Sequence, residues 1–276
     1  MTPEQTTPRR AAPSAARIAV VAVVALLAAA GLTYAVFAGS LSLAKSWAGE
    51  SAAVETVREA LALLHDPGAG DVRDVQASAL PGYLETTIDG GVVYVSNDGR
   101  FVIAGTVRDA NTRTDLTAKT LNAARRQAID AFDPSARIVF TPVVPRSTVT
   151  VFTDLDCPYC RRFQELVGDL NSRGVAVQYL PFPLNIHPDA DRKARAVWCA
   201  EDRKAAFQAA IAGIDPGTGT CPHSSAVTAS AALAVRLGLS GTPSVIGPDG
   251  ALIAPSIAMN PEALAKALGI RNLTSQ

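Results

Sequence analysis

The stretch Thr148–Phe163, TVTVFTDLDCPYCRRF, decides the fold. Val149, Val151 and Thr153 alternate as on a β-strand, and Phe163, Leu166, Val167 and Leu170 then recur at helical spacing. The side-chain period therefore changes from about 2 to about 3.6 residues across Cys157-Pro158-Tyr159-Cys160, which puts the cysteine pair on a strand-to-helix turn. There the first sulfur meets the unpaired N–H groups and positive dipole end of a helix, which favour an anion. The second sulfur lies one turn inside, close enough to close a short disulfide. Pro158 suits the first helical position, where no N–H is required. Arg161 and Arg162 favour a Cys157 thiolate while Asp154 and Asp156 oppose it, and the balance expected is a lowered pKa.

A redox dithiol is the chemistry this motif carries. A zinc site or a static disulfide are the blander readings. Thiolate zinc sites need a second close ligand pair, and Cys199, Cys221 and His223 are distant in sequence and do not repeat the spacing. The four cysteines form an even count, Cys157 with Cys160 and Cys199 left with Cys221, which suits an oxidising compartment. The 276 residues leave room for two modest domains plus tails. Charge is balanced at 25 basic against 25 acidic residues, and no basic run interleaves with aromatics, so nucleic-acid binding has no support.

Upstream of the motif, residues 1–17 are polar, carry Arg9, Arg10 and Arg17, and read as a disordered cytoplasmic tail. Residues 18–44 contain no charge and are long enough to span a bilayer. With arginines before this run and Lys45 after it, the positive-inside rule places the rest of the chain outside the cytoplasm. Length favours a retained transmembrane anchor over a cleaved signal, for which Val36-Phe37-Ala38 would serve as the cleavage site. Either way the CPYC motif is exported. Over 45–114, a short helix with Val54, Val57, Leu61 and Leu64 on one face stops at Asp66-Pro67-Gly68. Three strands then follow at Tyr83–Ile88, Val92–Ser96 and Phe101–Thr106, separated by Asp89-Gly90-Gly91 and Asn97-Asp98-Gly99 turns. One helix on so small a sheet buries little surface, and its open edge invites a second copy, so this module is expected to dimerise the chain.

Residues 115–135 read as a linker helix with Leu121, Ala124, Ala128 and Phe132 on one face, ended by Asp133-Pro134. From 136 to 276 the pattern is a strand at Ile138–Thr141, a strand at Val149–Thr153, the CPYC helix as far as Gly174, and a strand at Val175–Leu180. This βαβ unit implies parallel pairing. A helical insertion from Asp189 to about Ala212 carries Trp198 and Cys199. A helix over Ala226–Leu237 ends at Gly238, and Gly241-Thr242-Pro243 leads into a strand at Ser244–Ile246. Ala251–Ala254 is expected to pair back after a Pro248-Asp249-Gly250 turn, and Asn260-Pro261 caps a last helix ending at Gly269.

The small module, the linker helix, TDLDCPYC, AVWCAEDRKAAF, the later Cys221 and LGLSGTPSV together resemble the DsbC/DsbG family of periplasmic disulfide isomerases, over nearly all of the chain beyond residue 44. The resemblance implies a thioredoxin fold with a helical insertion, preceded by a cystatin-like dimerisation module, in a homodimer whose CPYC sites face a shared cleft. It implies Cys157 as the exposed attacking cysteine, Cys160 as its buried resolving partner and a structural disulfide between Cys199 and Cys221. Thr242 and Pro243 match the loop whose proline is cis in thioredoxin folds, where the Thr242 backbone would pair with an extended substrate segment. Tyr159 joins them in the expected substrate-binding set. The blander reading of Pro243 is an ordinary turn proline before a strand. Two features depart from the family. Pro158 stands where family isomerases commonly carry Gly, which leaves the balance between isomerase, reductase and oxidase open, and the N-terminal anchor would tether the chain to the inner membrane.

Thiol–disulfide exchange at this site needs no metal or organic cofactor. The expected partners are misfolded disulfide-containing exported proteins and, as electron donor, a membrane reductase of the DsbD type. His65, His187 and His223 read as surface or loop residues without a catalytic role. The alternatives are a dedicated reductase for one partner, a glutathione-using activity suggested by CPYC, and a chaperone-like module that binds clients without thiol chemistry.

Overall fold

The computed structural model describes residues 51–64, 72 and 74–270. The tail, the uncharged run over 18–44, His65 and the Asp66-Pro67-Gly68 stop lie outside the described residues. Among the described residues no helix is long and apolar enough to cross a membrane.

Residues 51–63 are helical (α1), and Val57, Ala60 and Leu61 bury one side against Val72 and Val95. Leu64 was expected on the same face but is 61% exposed, since the helix has already ended there. The sheet beside it is an antiparallel meander of β1 (Gln76–Ala77), β2 (Tyr83–Ile88), β3 (Gly91–Ser96) and β4 (Val102–Ala104), in that order. Asp89 and Gly90 take φ of 47° and 74°, the left-handed pair that closes a two-residue hairpin, with Ile88 opposite Gly91. Strand β1 is too short to show as alternation, and β4 is shorter than the Phe101–Thr106 run.

Helix α2 (Leu116–Asp130) starts at Asp115, whose side chain accepts from the Ala118 N–H at 2.8 Å. Its first turns face β2 and β3: buried Tyr94 hydrogen-bonds Thr117 at 2.7 Å, and Thr120 donates to Glu85 at 2.9 Å. Its last turn belongs to the other sheet, where Ile129 packs with Phe152, Leu180, Leu233 and Ile246. Arg125 donates to Leu237 O at 3.4 Å, and the Gly90 turn lies so close to Gly238 that neither position has room for a Cβ.

The second sheet holds β5 (Ile138–Phe140), β6 (Ser147–Thr153), β7 (Val175–Pro181) and β8 (Ser244–Ile246) in the order β5-β7-β6-β8. Strands β6 and β7 are parallel, from Ser147 opposite Val175 to Thr153 opposite Pro181, as the βαβ pattern requires. Strands β5 and β8 run antiparallel to their neighbours. The element after CPYC is two helices, α3 (Pro158–Glu165) and α4 (Val167–Ser172), rather than one reaching Gly174. Leu166 donates to Phe163 O three residues back at 3.0 Å, and this tightened turn ends α3. The insertion is likewise two helices, α5 (Ala190–Trp198) and α6 (Arg203–Ile211), because Asp202 caps a new start at the Ala205 N–H, 3.0 Å away. Ala251–Ala254 forms no strand; a single bridge joins Ile246 and Leu252, and α8 (Pro255–Ala258) begins at once. Helix α7 (Ser224–Arg236) and the Asn260-capped α9 (Pro261–Ala267) complete the layers over the sheet.

Phe163, Tyr179, Trp198 and Phe207 centre the main core, with Tyr179 and Phe207 rings 4.6 Å apart and the Trp198 Nε1–H donating to Ala136 O at 2.7 Å. Cys199 and Cys221 form a disulfide, Cα atoms 5.6 Å apart, which joins the end of α5 to the segment before α7. The parallel pair flanked by antiparallel strands, with α3 leaving the end of β6, is a thioredoxin-like arrangement of mixed α and β structure.

Candidate active site

Strand β6 delivers the chain at Thr153, residues 154–156 turn it, and α3 begins with Pro158 in its first turn. Cys157 sits at the helix N-cap in extended conformation and Cys160 lies one turn in, both unbonded thiols and both buried; Cys157 is 5% exposed and not the exposed thiol expected, because Thr242 packs against its sulfur. The Thr242-Pro243 peptide is cis, and in the protonated state the Cys157 thiol donates to Thr242 O at 3.2 Å. The Thr242 hydroxyl is buried with no hydrogen-bond partner. Beneath, the Asp154 backbone N–H donates to Cys160 Sγ at 3.5 Å.

The two thiols are driven apart in acidity. A hydrogen bond from Cys160 lowers the Cys157 pKa to about 5 against the opposing effect of burial, helped by Thr242 and the backbone N–H groups of Cys160 and Tyr159. Burial and then the neighbouring Cys157 push the Cys160 thiol well up. The expected lowering of Cys157 is thus present, but its source is hydrogen bonding at the helix start and not Arg161 and Arg162. Arg161 turns to Asp156 at 3.6 Å and to Leu155 O at 3.4 Å.

Tyr159 is 65% exposed two residues after Cys157, and Thr242, joined to Pro243 by the cis peptide, borders the Cys157 sulfur, so the structure brings the five expected site residues Cys157, Tyr159, Cys160, Thr242 and Pro243 together. Cys199 and Cys221 lie apart from them in their own disulfide. His223 sits at the start of α7 and makes no capping bond.

His187 lies in a loop, as expected, and it has a partner there. Its Nδ1 meets Asp154 Oδ2 at 2.9 Å, and the Asp154 side chain is fully buried. The same carboxylate accepts the Leu184 N–H at 2.7 Å and the Asp156 N–H at 2.8 Å. Lys193 on α5 holds Asp156 at 2.6 Å. The sequence signal for this cluster is the parallel pairing itself. Asp154 follows β6 and Leu184–His187 follow β7, so the ends of neighbouring parallel strands bring them to one place.

Residues 144–270 match the thioredoxin-like domain family, and residues 45–118 match the N-terminal domain of disulfide bond isomerase proteins. The thiol:disulfide interchange protein DsbC of Escherichia coli K12 is 32% identical over 187 residues, 65% of this chain and 75% of that protein. DsbC of Salmonella typhimurium is 31% identical over 187 residues, 65% of this chain and 74% of that protein. Among solved structures, a disulfide interchange protein from Neisseria gonorrhoeae is 29% identical, covering 43% of this chain and 84% of its own, with a TM-score of 0.39.

Proposed function

Because the chain belongs to the DsbC family of thiol:disulfide interchange proteins, we propose that it isomerises wrong disulfides in exported proteins through Cys157, with net reduction as the slower route. The observation that carries this is the placement of the two thiols, Cys157 at the N-cap of α3 with its Sγ 3.2 Å from Thr242 O and Cys160 one turn inside, which opposes their acidities. Cys157, about 5, is thiolate at neutral pH, and Cys160 is held protonated.

The Cys157 thiolate attacks one sulfur of a substrate disulfide; the substrate S–S bond breaks, a Cys157–substrate bond forms, and the second substrate sulfur leaves as thiolate. If another substrate thiolate attacks the mixed disulfide at the substrate's own sulfur, a new substrate disulfide forms and Cys157 is regenerated with no net electron transfer. If Cys160 loses its proton and attacks Cys157, the substrate leaves as a dithiol and Cys157–Cys160 closes, a two-electron reduction that then needs an external reductant. Burial of Cys160 slows this second route and lengthens the life of the mixed disulfide, which favours isomerisation. Thr242 O and the exposed Tyr159 ring would receive an extended substrate segment beside the sulfur.

The same reading takes residues 136–276 as the catalytic domain, 115–135 as its linker and 45–114 as a cystatin-like dimerisation module. Strand β4 supports the last, since among the described residues it pairs on one side only, carries exposed Ile103 and follows directly on exposed Phe101. The uncharged run over 18–44 supports an inner-membrane anchor with residues beyond it in the periplasm, where a DsbD-type reductase would recharge the site. Refolding of a scrambled multi-disulfide protein by the full chain, with Cys157→Ala as control, tests the function. Cys157-dependent recovery of the native protein supports isomerisation; reduction without reshuffling sinks it in favour of a one-way reductase. Sedimentation at micromolar concentration tests the dimer, and a strict monomer refutes it.

A further inference from the structure

Asp154 places a buried carboxylate three residues before the attacking cysteine. A negative charge at that position opposes ionisation of Cys157, and burial strengthens the opposition because little water screens it. The side chain that answers it is His187, from the segment after β7, hydrogen-bonded to Asp154 Oδ2 at 2.9 Å with its own side chain 23% exposed. The pair also fixes shape. Asp154 holds the Leu184 and Asp156 N–H groups with its carboxylate and directs its own N–H to Cys160 Sγ at 3.5 Å, so one residue ties the segment after β7 to both ends of the CPYC turn. The other acid here, Asp156, has separate cations in Lys193 at 2.6 Å and Arg161 at 3.6 Å, which leaves His187, when protonated, as the counter-charge paired with Asp154 among the described residues.

We propose that His187 is a positioning residue of the dithiol: its imidazolium is the counter-charge that lets Cys157 ionise beside the buried Asp154 carboxylate, and its proton is held less tightly once Cys157 enters a disulfide. The groups facing His187 are Asp154, Asp156 and Cys157, and each favours the protonated ring, the Asp154 hydrogen bond most. By linkage the effect is mutual. A thiolate that stabilises the imidazolium is stabilised by it to the same extent. Loss of the thiolate charge on oxidation removes part of that hold, and the proton passes to solvent more readily. The reduced site therefore carries a redox-linked proton on a residue outside the CPYC turn.

The inference rests on Cys157 being the attacking sulfur, and the experiment separates the two. In the full-length chain, alkylation by iodoacetamide is followed against pH, the labelled cysteine is located by mass spectrometry, and equilibrium with glutathione is measured in parallel. In His187→Asn, which keeps an N–H donor for Asp154 without the charge, the Cys157 midpoint rises, and alkylation at pH 4, below the wild-type midpoint, falls about tenfold for each unit of rise. The glutathione equilibrium moves toward the disulfide, because the reduced thiolate form has lost stabilisation. In Asp154→Asn/His187→Asn the midpoint returns toward the wild-type value, a non-additivity that a simple loss of packing does not produce. In the unaltered protein, the His187 ring titrates higher in the reduced than in the oxidised form by NMR, a measurement independent of whether any variant folds. Unchanged midpoint and glutathione equilibrium in His187→Asn, or equal His187 titration in the two redox forms, overturns the inference and leaves Cys157 in its role. Labelling confined to Cys160 overturns both.

Discussion

Replacing Cys199 and Cys221 together by alanine removes a covalent tie between the end of α5 and the start of α7. The cross-link spans a sequence separation of 22, for which the loss of unfolded-chain entropy amounts to about 3 kcal/mol. A chain of this size shifts its melting temperature by about 2–4 °C per kcal/mol, so a fall of roughly 6–12 °C is expected. The tie is not the whole hold on this loop. Arg192 pairs with Asp215 at 2.9 Å and Arg195 donates to Ser224 O at 3.1 Å, so the folded loop survives the substitution.

The dithiol should not register the change. Lys193, near the front of α5, touches the active-site turn through Asp156, while Cys199 lies at the helix's other end, about 9 Å further along the axis. Thermal unfolding by circular dichroism supplies the stability, and the pH profile of Cys157 alkylation supplies the chemistry. A fall in melting temperature with an unchanged alkylation midpoint is the expected pair. A fall of less than about 2 °C refutes the entropic role, and a folded double variant whose Cys157 no longer reacts refutes the separation of the disulfide from the site.

Three other perturbations test different parts of the molecule. Alkylation of Cys157 should rise with pH around a midpoint of about 5. Since this folded value lies below that of an unfolded thiol near ~8.5, the stabilisation of the reduced form is fully present above ~8.5 and is lost as pH falls through about 5. Urea unfolding of reduced and oxidised protein compared at pH 4 and pH 8 reads the effect, and an equal difference at both would contradict it. Trp198, 1% exposed and bonded to Ala136 O, should cost about 3–5 kcal/mol as Trp198→Ala and clearly less as Trp198→Phe, measured by urea midpoint. Glu85→Ala leaves the donors Gln76, Ser78 and Thr120 without their acceptor, a loss of about 1–3 kcal/mol. Amide exchange should quicken first over Leu116–Leu121 of α2, and uniform protection there would refute the placement.

What was legible in the sequence was local. The switch of period at CPYC, the Asp89-Gly90 turn and the Asn260 cap each depend on residues a few positions apart, and each stands in the structure as read. The two breaks that were missed, at Leu166 and at Cys199–Asp202, arise where the apolar spacing continues while the backbone is tightened or recapped. Hydrophobic periodicity does not report either event, because both sides of each break still face the core: Phe163 with Val167, and Trp198 with Phe207. His187 was missed for another reason. Its partner is 33 residues away, and nothing in the composition around either residue marks them as a pair. Only the order and direction of β6 and β7 connect them, and that inference was available once parallel pairing had been accepted.

The segment read as a linker has more structure than a spacer needs. Helix α2 places Thr117 and Thr120 on the meander and Ile129 in the apolar layer under β6 and β7, so its two ends belong to different cores. Arg125 closes the end of α7 at Leu237 O, and the β2–β3 turn meets Gly238 backbone to backbone. Contacts on both sides of a helix resist its rotation, whereas a helix tethered only at its ends turns freely. If two copies join through β4, as proposed, α2 would carry the orientation of that interface through to β6, and the aim of each Cys157 would follow from packing at Gly90 and Gly238. Asn accepts the positive φ of Gly90 yet adds a Cβ against Gly238, so Gly90→Asn should loosen the relation of module to active site while sparing each core. Limited proteolysis within 130–137, faster in the variant at unchanged Cys157 reactivity, is the expected outcome, and identical cleavage would mean that the glycine contact does not hold the joint.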